Sequence, residues 1–206
     1  MIRYCKERTF ARISLSTNGT LLDTEVSGKL ISAGIDEIIF SLDTNSPKTY
    51  YKIKGSKEFD KVVKNIIDFL KTNTNNKVRV IIKLIQMDMN RHEIESFKNR
   101  WPSHNCEVKI SWTNTWAGQL SNNRSLSNYL CPNIGKPKAP YADLWYKMVI
   151  TADGLVPFCC YDFMVKHPLE NINISDAKDI WSTHKAQFFR KIHSNPTGLT
   201  AWVQKL

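Results

Sequence analysis

The sequence predicts an α/β fold, an open parallel sheet of about four strand–helix units followed by a small hairpin-plus-helix extension. Three observations carry this expectation. Over the first two thirds of the 206 residues, short β-prone runs alternate with segments of helical periodicity. Four such units are too few to close a barrel, so the sheet is expected to stay open or to be a piece of something larger. After Trp116 the alternation stops, and short runs around turn residues take over.

Residues 12–17 (RISLST) form the first β-prone run and end at the turn signal Asn18-Gly19. Asp23 is placed to cap a helix burying Val26, Leu30 and Ala33, with Gly34 to end it. Residues 38–42 (IIFSL) are almost continuously apolar, as expected for a strand covered on both faces. Phe59, Val62, Val63, Ile66 and Leu70 then recur at helical spacing. Residues 78–85 (VRVIIKLI) read as a third buried strand. Asn90 and Glu93 have the spacing of a capping box before a helix lined by Ile94, Phe97 and Trp101. Residues 107–112 (EVKISW) supply the fourth strand.

Residues 119–129 are polar and read as an exposed linker. Residues 144–151 and 155–161, joined through Ala152-Asp153-Gly154, read as a β-hairpin. Ser175 is placed to cap a last helix whose buried face is Ala177, Ile180, Trp181, His184 and Phe188. The expected domains are therefore 1–118, a linker 119–130, and 131–206.

Composition sets limits on function. A hydrophobic share of 42% with 11% aromatic residues allows a packed core. No apolar run has the length of a membrane span, and the charged start lacks a secretory apolar stretch, so a cytoplasmic protein is expected. The net charge of +10 comes from scattered lysines without a recognition motif, which argues for a solvated basic surface over nucleic-acid binding. Five cysteines in such a compartment suit metal ligation or buried thiols better than disulfides.

Two groups of residues carry chemistry. Ser16-Thr17-Asn18-Gly19 and Ser41-Leu42-Asp43 place small polar groups at the carboxyl ends of consecutive strands, where α/β folds gather ligands; both strings are also ordinary strand ends. Cys131, Cys159 and Cys160 are soft thiolate donors of the kind that hold iron–sulfur clusters, although neighbours on an extended strand point to opposite faces; buried thiols are the plain alternative. Cys106 reads as a buried thiol, the five dispersed histidines as surface or helix-face residues, and Trp112 and Trp116 as packing residues.

Taken together, STNGTLLD, KLISAGIDEIIFSLDTNSPKTYYKIKG and FDKVVKNI closely resemble the third and fourth βα units of radical S-adenosylmethionine enzymes. NRHEIESFKNRW and WAGQL are similar to the fifth and sixth units of that family's SPASM branch. CPNIG, LWYKMVITADGLVPFCCYDF and ENINISDAKDIW are similar, in order, to its auxiliary-cluster region. The resemblance runs from about residue 12 to about residue 193. It implies an incomplete parallel (β/α) barrel with a SPASM-like extension. By resemblance, Ser41 touches the ribose or carboxylate of S-adenosylmethionine, and Asn18 and Asp43 are further pocket residues. Lys54, near a usual arginine, offers a cation to that carboxylate without the bidentate fork. Cys131, Cys159 and Cys160 fall on auxiliary-cluster positions, only one of the adjacent pair serving a given cluster.

The departures bear on activity. The family's Cys-x₃-Cys-x₂-Cys, which binds the cluster that cleaves S-adenosylmethionine, has no counterpart, since Cys5 stands alone. A Gly-Gly-Glu loop and a terminal Cys-x₂-Cys are missing as well. The chain is therefore expected to be truncated at the front and altered or truncated at the back. The implied activity is reductive cleavage of S-adenosylmethionine to a 5′-deoxyadenosyl radical for peptide or small-molecule modification, not performed by this chain alone. The alternative is a non-catalytic peptide- or metal-binding module built on the same fold. The cofactors implied are an auxiliary 4Fe-4S cluster with an incomplete ligand set and weakly held S-adenosylmethionine. Expected partners are a peptide or small-molecule substrate and a second copy at the exposed sheet edge, with no membrane.

Overall fold

The computed structural model describes residues 1–101, 104–113 and 142–194. They belong to two compact units, Met1–Thr113 and Asn114–Leu206. The expected boundary at 118 and the linker 119–130 lie outside the described residues.

The first unit is a four-stranded, fully parallel sheet in the order β1-β2-β3-β4. Its strands are β1 (Ser14–Thr17), β2 (Glu37–Ser41), β3 (Arg79–Gln86) and β4 (Glu107–Trp112), each within two residues of its sequence-predicted start. The sheet is open, and β1 is a terminal strand paired on one side with β2.

Helix α1 (Ile2–Arg8) was not expected from the charged start. It is tied to the sheet by Lys6, whose Nζ lies 3.0 Å from Asp36, while Asp36 also accepts the Ile13 amide at 2.7 Å. Helix α2 (Thr24–Ser32) begins as predicted, with Asp23 accepting the Val26 amide at 2.8 Å, and is followed by Gly34 at φ +87°. Its packing differs from expectation: Ser27 is the fully buried position and Val26 is exposed. Helix α3 (Pro47–Lys54) was missed, although Ser46 as cap, Pro47 in the first turn and Gly55 after the end are its local signals.

Helix α4 (Phe59–Thr72) buries Phe59, Val62, Val63 and Ile66 of the predicted stripe; Leu70 is half-buried, and Phe69 is buried instead, meeting Phe40 of β2 edge-on at 5.7 Å. With Ile38, Leu42, Val80, Ile82 and Leu84, these residues form the core between the helices and one sheet face. Burying such side chains contributes about 1.5–3 kcal/mol each against the ordering entropy. The opposite face corrects the expectation of strands covered on both sides. There Ile39, Ser41 and Lys83 are only half-buried, while Ile81 is buried.

The predicted capping box does not form. A 3₁₀ turn at Arg91–Glu93 precedes α5 (Ile94–Arg100), and Asn90 makes no side-chain cap to it. Instead the Asn90 amide donates to the Asp43 and Ile85 carbonyls, both at 2.8 Å. Phe97 and Trp101 are buried as expected.

In the second unit, residues 143–146 form a short helix, α6 (Asp143–Tyr146), where a strand was expected. Strand β5 (Leu155–Pro157) pairs antiparallel with β6 (Pro168–Asn171), not with residues 144–151. The Asp153-Gly154 turn is present, but it closes on Thr151, whose amide donates to Leu155 at 2.9 Å. Gly154 sits at φ +87°, and a Cβ there would lie 2.3 Å from Asn173 Nδ2, so only glycine fits.

The last helix is two: α7 (Ala177–Ser182) and α8 (His184–Ser194), separated by Thr183 in an extended conformation. That break resets the helical phase. Ile180, Ala186 and Phe189 are buried, whereas Ala177, His184 and Phe188 are exposed. Arg190 holds the group together by donating to the Leu144 carbonyl at 3.0 Å and the Trp181 carbonyl at 2.8 Å.

Candidate functional site

Four of the predicted site residues lie in the first unit, at or just beyond the carboxyl ends of β1 and β2. Ser41 is the last residue of β2, half-buried, in register with Lys83 of β3. Its hydroxyl has no hydrogen-bond partner among the described residues. It is therefore available to a ligand.

Asn18 follows the end of β1 and is exposed; its Oδ1 accepts from the Thr20 amide at 3.1 Å and the Thr20 hydroxyl at 2.9 Å. This side chain builds the turn. Gly19, at φ +78°, lets the turn pack against Phe40, which an added Cβ would approach to 3.2 Å. The Asn65 side chain fastens the Gly19 carbonyl at 2.9 Å.

Asp43 is 2% exposed and adopts a left-handed φ of +65°, which for an aspartate is uncommon but accessible. Its polar atoms are all engaged. Oδ1 accepts the Ile85 amide at 2.7 Å, Oδ2 accepts Lys54 Nζ at 2.5 Å, and the backbone carbonyl accepts from Asn90. The sequence placed Asp43 and Lys54 separately as pocket residue and free cation. The structure brings them together as an ion pair, so Lys54 is not a free charge here.

A residue the sequence reading assigned to a helix cap organises the same loop. Glu93, 5% exposed, accepts hydrogen bonds from the hydroxyls of Thr44, Ser46 and Thr49 and from the Asn45 amide. Burial alone would raise the Glu93 pKa, but these donors outweigh it and hold the carboxyl below its ordinary range. Asn90 and Glu93 thereby bolt the loop after β2 to the loop after β3. Nothing local in residues 90–93 announces a partner some fifty positions upstream.

In the second unit, Cys159 is buried and Cys160 exposed. They follow β5 in a turn, so their divergence comes from the turn rather than from strand alternation. Burial pushes the Cys159 thiol up, while the nearby backbone N–H groups of Tyr161 and Asp162 pull the other way; the Asp162 amide donates to the Cys159 carbonyl at 3.2 Å. Phe158 stacks on Phe189 at 4.5 Å and fixes the segment against α8. Asp162, a candidate oxygen ligand beside the cysteines, is buried with both oxygens occupied by the Lys166 and His167 amides at 2.9 and 2.8 Å. Cys131 lies outside the described residues, as does Trp116. Among the described residues no three histidine, cysteine or acidic side chains converge on one point. Cys106 is half-buried and its thiol is pushed up to about 11 by burial, as an inert buried thiol should be.

The Cys159 surroundings fit a thiolate ligand. A buried thiol stays protonated until a positive centre approaches, and the backbone N–H groups of Tyr161 and Asp162 favour the charge it would then carry.

Comparison with known proteins agrees with this picture. The SPASM family, an iron–sulfur cluster-binding domain, matches residues 143–199. An uncharacterised protein of Methanocaldococcus jannaschii is 38% identical over 65 residues, 32% of this chain and 22% of its own length. A probable GTP 3′,8-cyclase of Methanococcus maripaludis is 41% identical over 66 residues, 32% of this chain and 22% of its own. One from Saccharolobus islandicus is 32% identical over 97 residues, 47% of this chain and 30% of its own. The matches thus span less than a third of these relatives. The fold is shared with native anSMEcpe with bound AdoMet and Kp18Cys peptide, at a TM-score of 0.61 and 17% identity, over 92% of this chain and 62% of that one.

Proposed function

We propose that the chain belongs to the radical S-adenosylmethionine superfamily, in its SPASM branch, and combines a cofactor-handling βα half with an auxiliary iron–sulfur module. The first unit is read as four consecutive units of that superfamily's partial barrel. The observation that carries the proposal is Cys159: a buried thiol inside the segment matching the cluster-binding family.

An iron–sulfur cluster bound at this module would supply electron storage near the substrate. The chain's own contribution is to hold it. Cys159 offers one thiolate, Cys131 a second, and Cys160 points away to solvent. Asp162 positions the segment through two amides and is a poor fourth ligand unless the 162–167 loop opens.

In the first unit, Ser41 offers a free hydroxyl to the ribose or carboxylate of S-adenosylmethionine. Asp43 holds Lys54 at the same strand end, and an incoming carboxylate would compete with Asp43 for that ammonium. The substrate is proposed to be a peptide or a small molecule, since the similar proteins include one bound to a peptide and probable cyclases of GTP. A cytoplasmic setting suits four free cysteines among the described residues.

The 206 residues contain no Cys-x₃-Cys-x₂-Cys. The polypeptide by itself is therefore expected to bind iron at the SPASM-like module without cleaving S-adenosylmethionine. Anaerobic reconstitution should give iron that Cys159→Ala and Cys131→Ala each reduce. Incubation with dithionite and S-adenosylmethionine should give no 5′-deoxyadenosine above a protein-free blank. Iron content untouched by both substitutions sinks the cluster proposal, and 5′-deoxyadenosine abolished by Ser41→Ala sinks the claim of inactivity.

A further inference from the structure

Two lysines on the open sheet face are not accounted for by the proposed contacts to S-adenosylmethionine. Ser41, Lys83 and Lys109 are register partners on β2, β3 and β4, so all three project from the same face. Adjacent strands are about 4.8 Å apart, which puts the roots of the two lysines side by side. Lys83 is half-buried and Lys109 exposed. Neither ammonium has a hydrogen-bond or ion-pair partner among the described residues.

The nearest acids are hydrogen-bonded to other cations, and Lys109 acts on Glu107 only through space. Glu107, two residues below Lys109, is gripped by Arg79 through Nε at 2.7 Å and Nη2 at 2.6 Å. Glu37 accepts from Arg79 at 2.8 Å and from the Ser14 hydroxyl at 2.8 Å. Asp43 is taken by Lys54. Asp43 has Lys54, but Glu37 and Glu107 share Arg79, so with Lys83 and Lys109 four cations face three acids and one positive charge is left over. Like charges directly opposite on neighbouring strands repel, and an anion between them would turn that repulsion into two charge-assisted hydrogen bonds.

We propose that Lys83 and Lys109, in register beside Ser41, form a subsite for an oxyanion group of the substrate, a carboxylate or a phosphate. The proposal deepens the functional reading above by naming the chemical class of the substrate, and it rests on that reading for calling the ligand a substrate. The row lies where the proposed cofactor contact ends, so the anion would anchor the substrate while its remainder stays over the strand ends.

The experiment needs neither iron nor cofactor. The full 206-residue chain is titrated with inorganic phosphate and, in a second arm, with succinate, following backbone amide shifts by NMR. Saturable shifts centred on Ser41, Lys83 and Lys109 are expected with at least one probe, and the probe that binds identifies the anion. Lys83→Gln and Lys109→Gln should each weaken binding roughly tenfold, the loss of one charge-assisted contact. Lys83→Arg should retain it. Lys61→Gln, at a lysine paired with Glu58 on α4, should leave it unchanged. Unchanged spectra of the remaining sheet amides confirm that the variants fold. Shifts spread over the basic surface and equally weakened by Lys61→Gln overturn the proposal, as do no shifts with either probe. A third arm adds S-adenosylmethionine. If the lysine substitutions weaken only that ligand, the row serves the cofactor and the substrate assignment is overturned. Failure of S-adenosylmethionine to bind at all leaves the anion arms intact, so the two readings fail separately.

Discussion

The Lys54 ammonium closes on the Asp43 carboxylate, joining the end of α3 to the turn that leaves β2. Asp43 is almost wholly buried and Lys54 three-quarters so, at 3% and 25% side-chain exposure. Removing the lysine would leave a buried carboxylate with one amide donor in place of an amide and a cation. Lys54→Met is expected to destabilise the first unit by about 1–3 kcal/mol, and Asp43→Asn, which leaves no buried charge, by less. Urea denaturation of both variants measures this. Equal stability of Lys54→Met and wild type would show that the pair contributes nothing.

Glu93 makes the same loop sensitive to acid. Its folded pKa is depressed, so its contribution is fully present above the unfolded value of about 4.3 and is lost as pH falls through the folded value beneath it. Wild type should therefore lose stability on acidification below about pH 4.5. Glu93→Gln should start less stable at neutral pH and lose less over that acid window. Parallel denaturation curves at pH 7 and at acid pH, with the same drop in both proteins, would remove Glu93 as a source.

The cysteines should separate by alkylation. Cys160 is exposed and should react with iodoacetamide first at pH 8. Cys159 and Cys106, both pushed up by burial, should lag by at least tenfold. Peptide mass spectrometry over a time course reads the order. Cys159 labelled as fast as Cys160 would contradict a buried thiol.

Gly154→Ala should cost the second unit about 1–3 kcal/mol, because φ +87° is strained for alanine and the new Cβ meets Asn173 Nδ2 at 2.3 Å. Asn173→Ala made alongside should recover part of that loss by removing the clash but not the strain. Thermal denaturation of the single and double variants checks it. No recovery in the double variant would assign the whole cost to the backbone.

Strand β1 is the terminal strand of its sheet, so the unpaired side of Ser14–Thr17 is proposed as the place where a second copy adds. Sedimentation over a range of concentrations should show self-association, accompanied by slowed amide exchange in β1. A monomer at every concentration with rapid exchange in β1 would mean the edge is open and unused.

Much of this was legible in the order of residues alone. Period-two and near-continuous apolar runs located all four parallel strands, and the stripe from Phe59 to Leu70 located α4, because burial of one face imposes its period on the chain. Asp23 and Gly34 marked the limits of α2 because a cap and a left-handed exit are local needs. Ser41 at a strand end and Cys159 beside the Asp-Gly turn were likewise visible as residue types in motifs.

Partner choice was not visible. Asn90 and Glu93 have the spacing of a capping box, yet Glu93 spends its hydrogen bonds on the loop after β2, and Asn90 divides its own between Asp43 there and the Ile85 carbonyl and Met87 amide. Four donors there outweigh one helix amide. Thr183 split a helix that periodicity ran straight through, and the phase reset moved Phe188 outward and Phe189 inward. Lys54 looked like a free cation until the fold set Asp43 beside it, and Lys83 and Lys109 looked like ordinary strand lysines until register put them in one row with Ser41. Periodicity is a one-dimensional record of which face is buried, so it survives in the sequence. Hydrogen bonds and ion pairs go to whichever group packing brings within about 3 Å, and only the tertiary structure decides that.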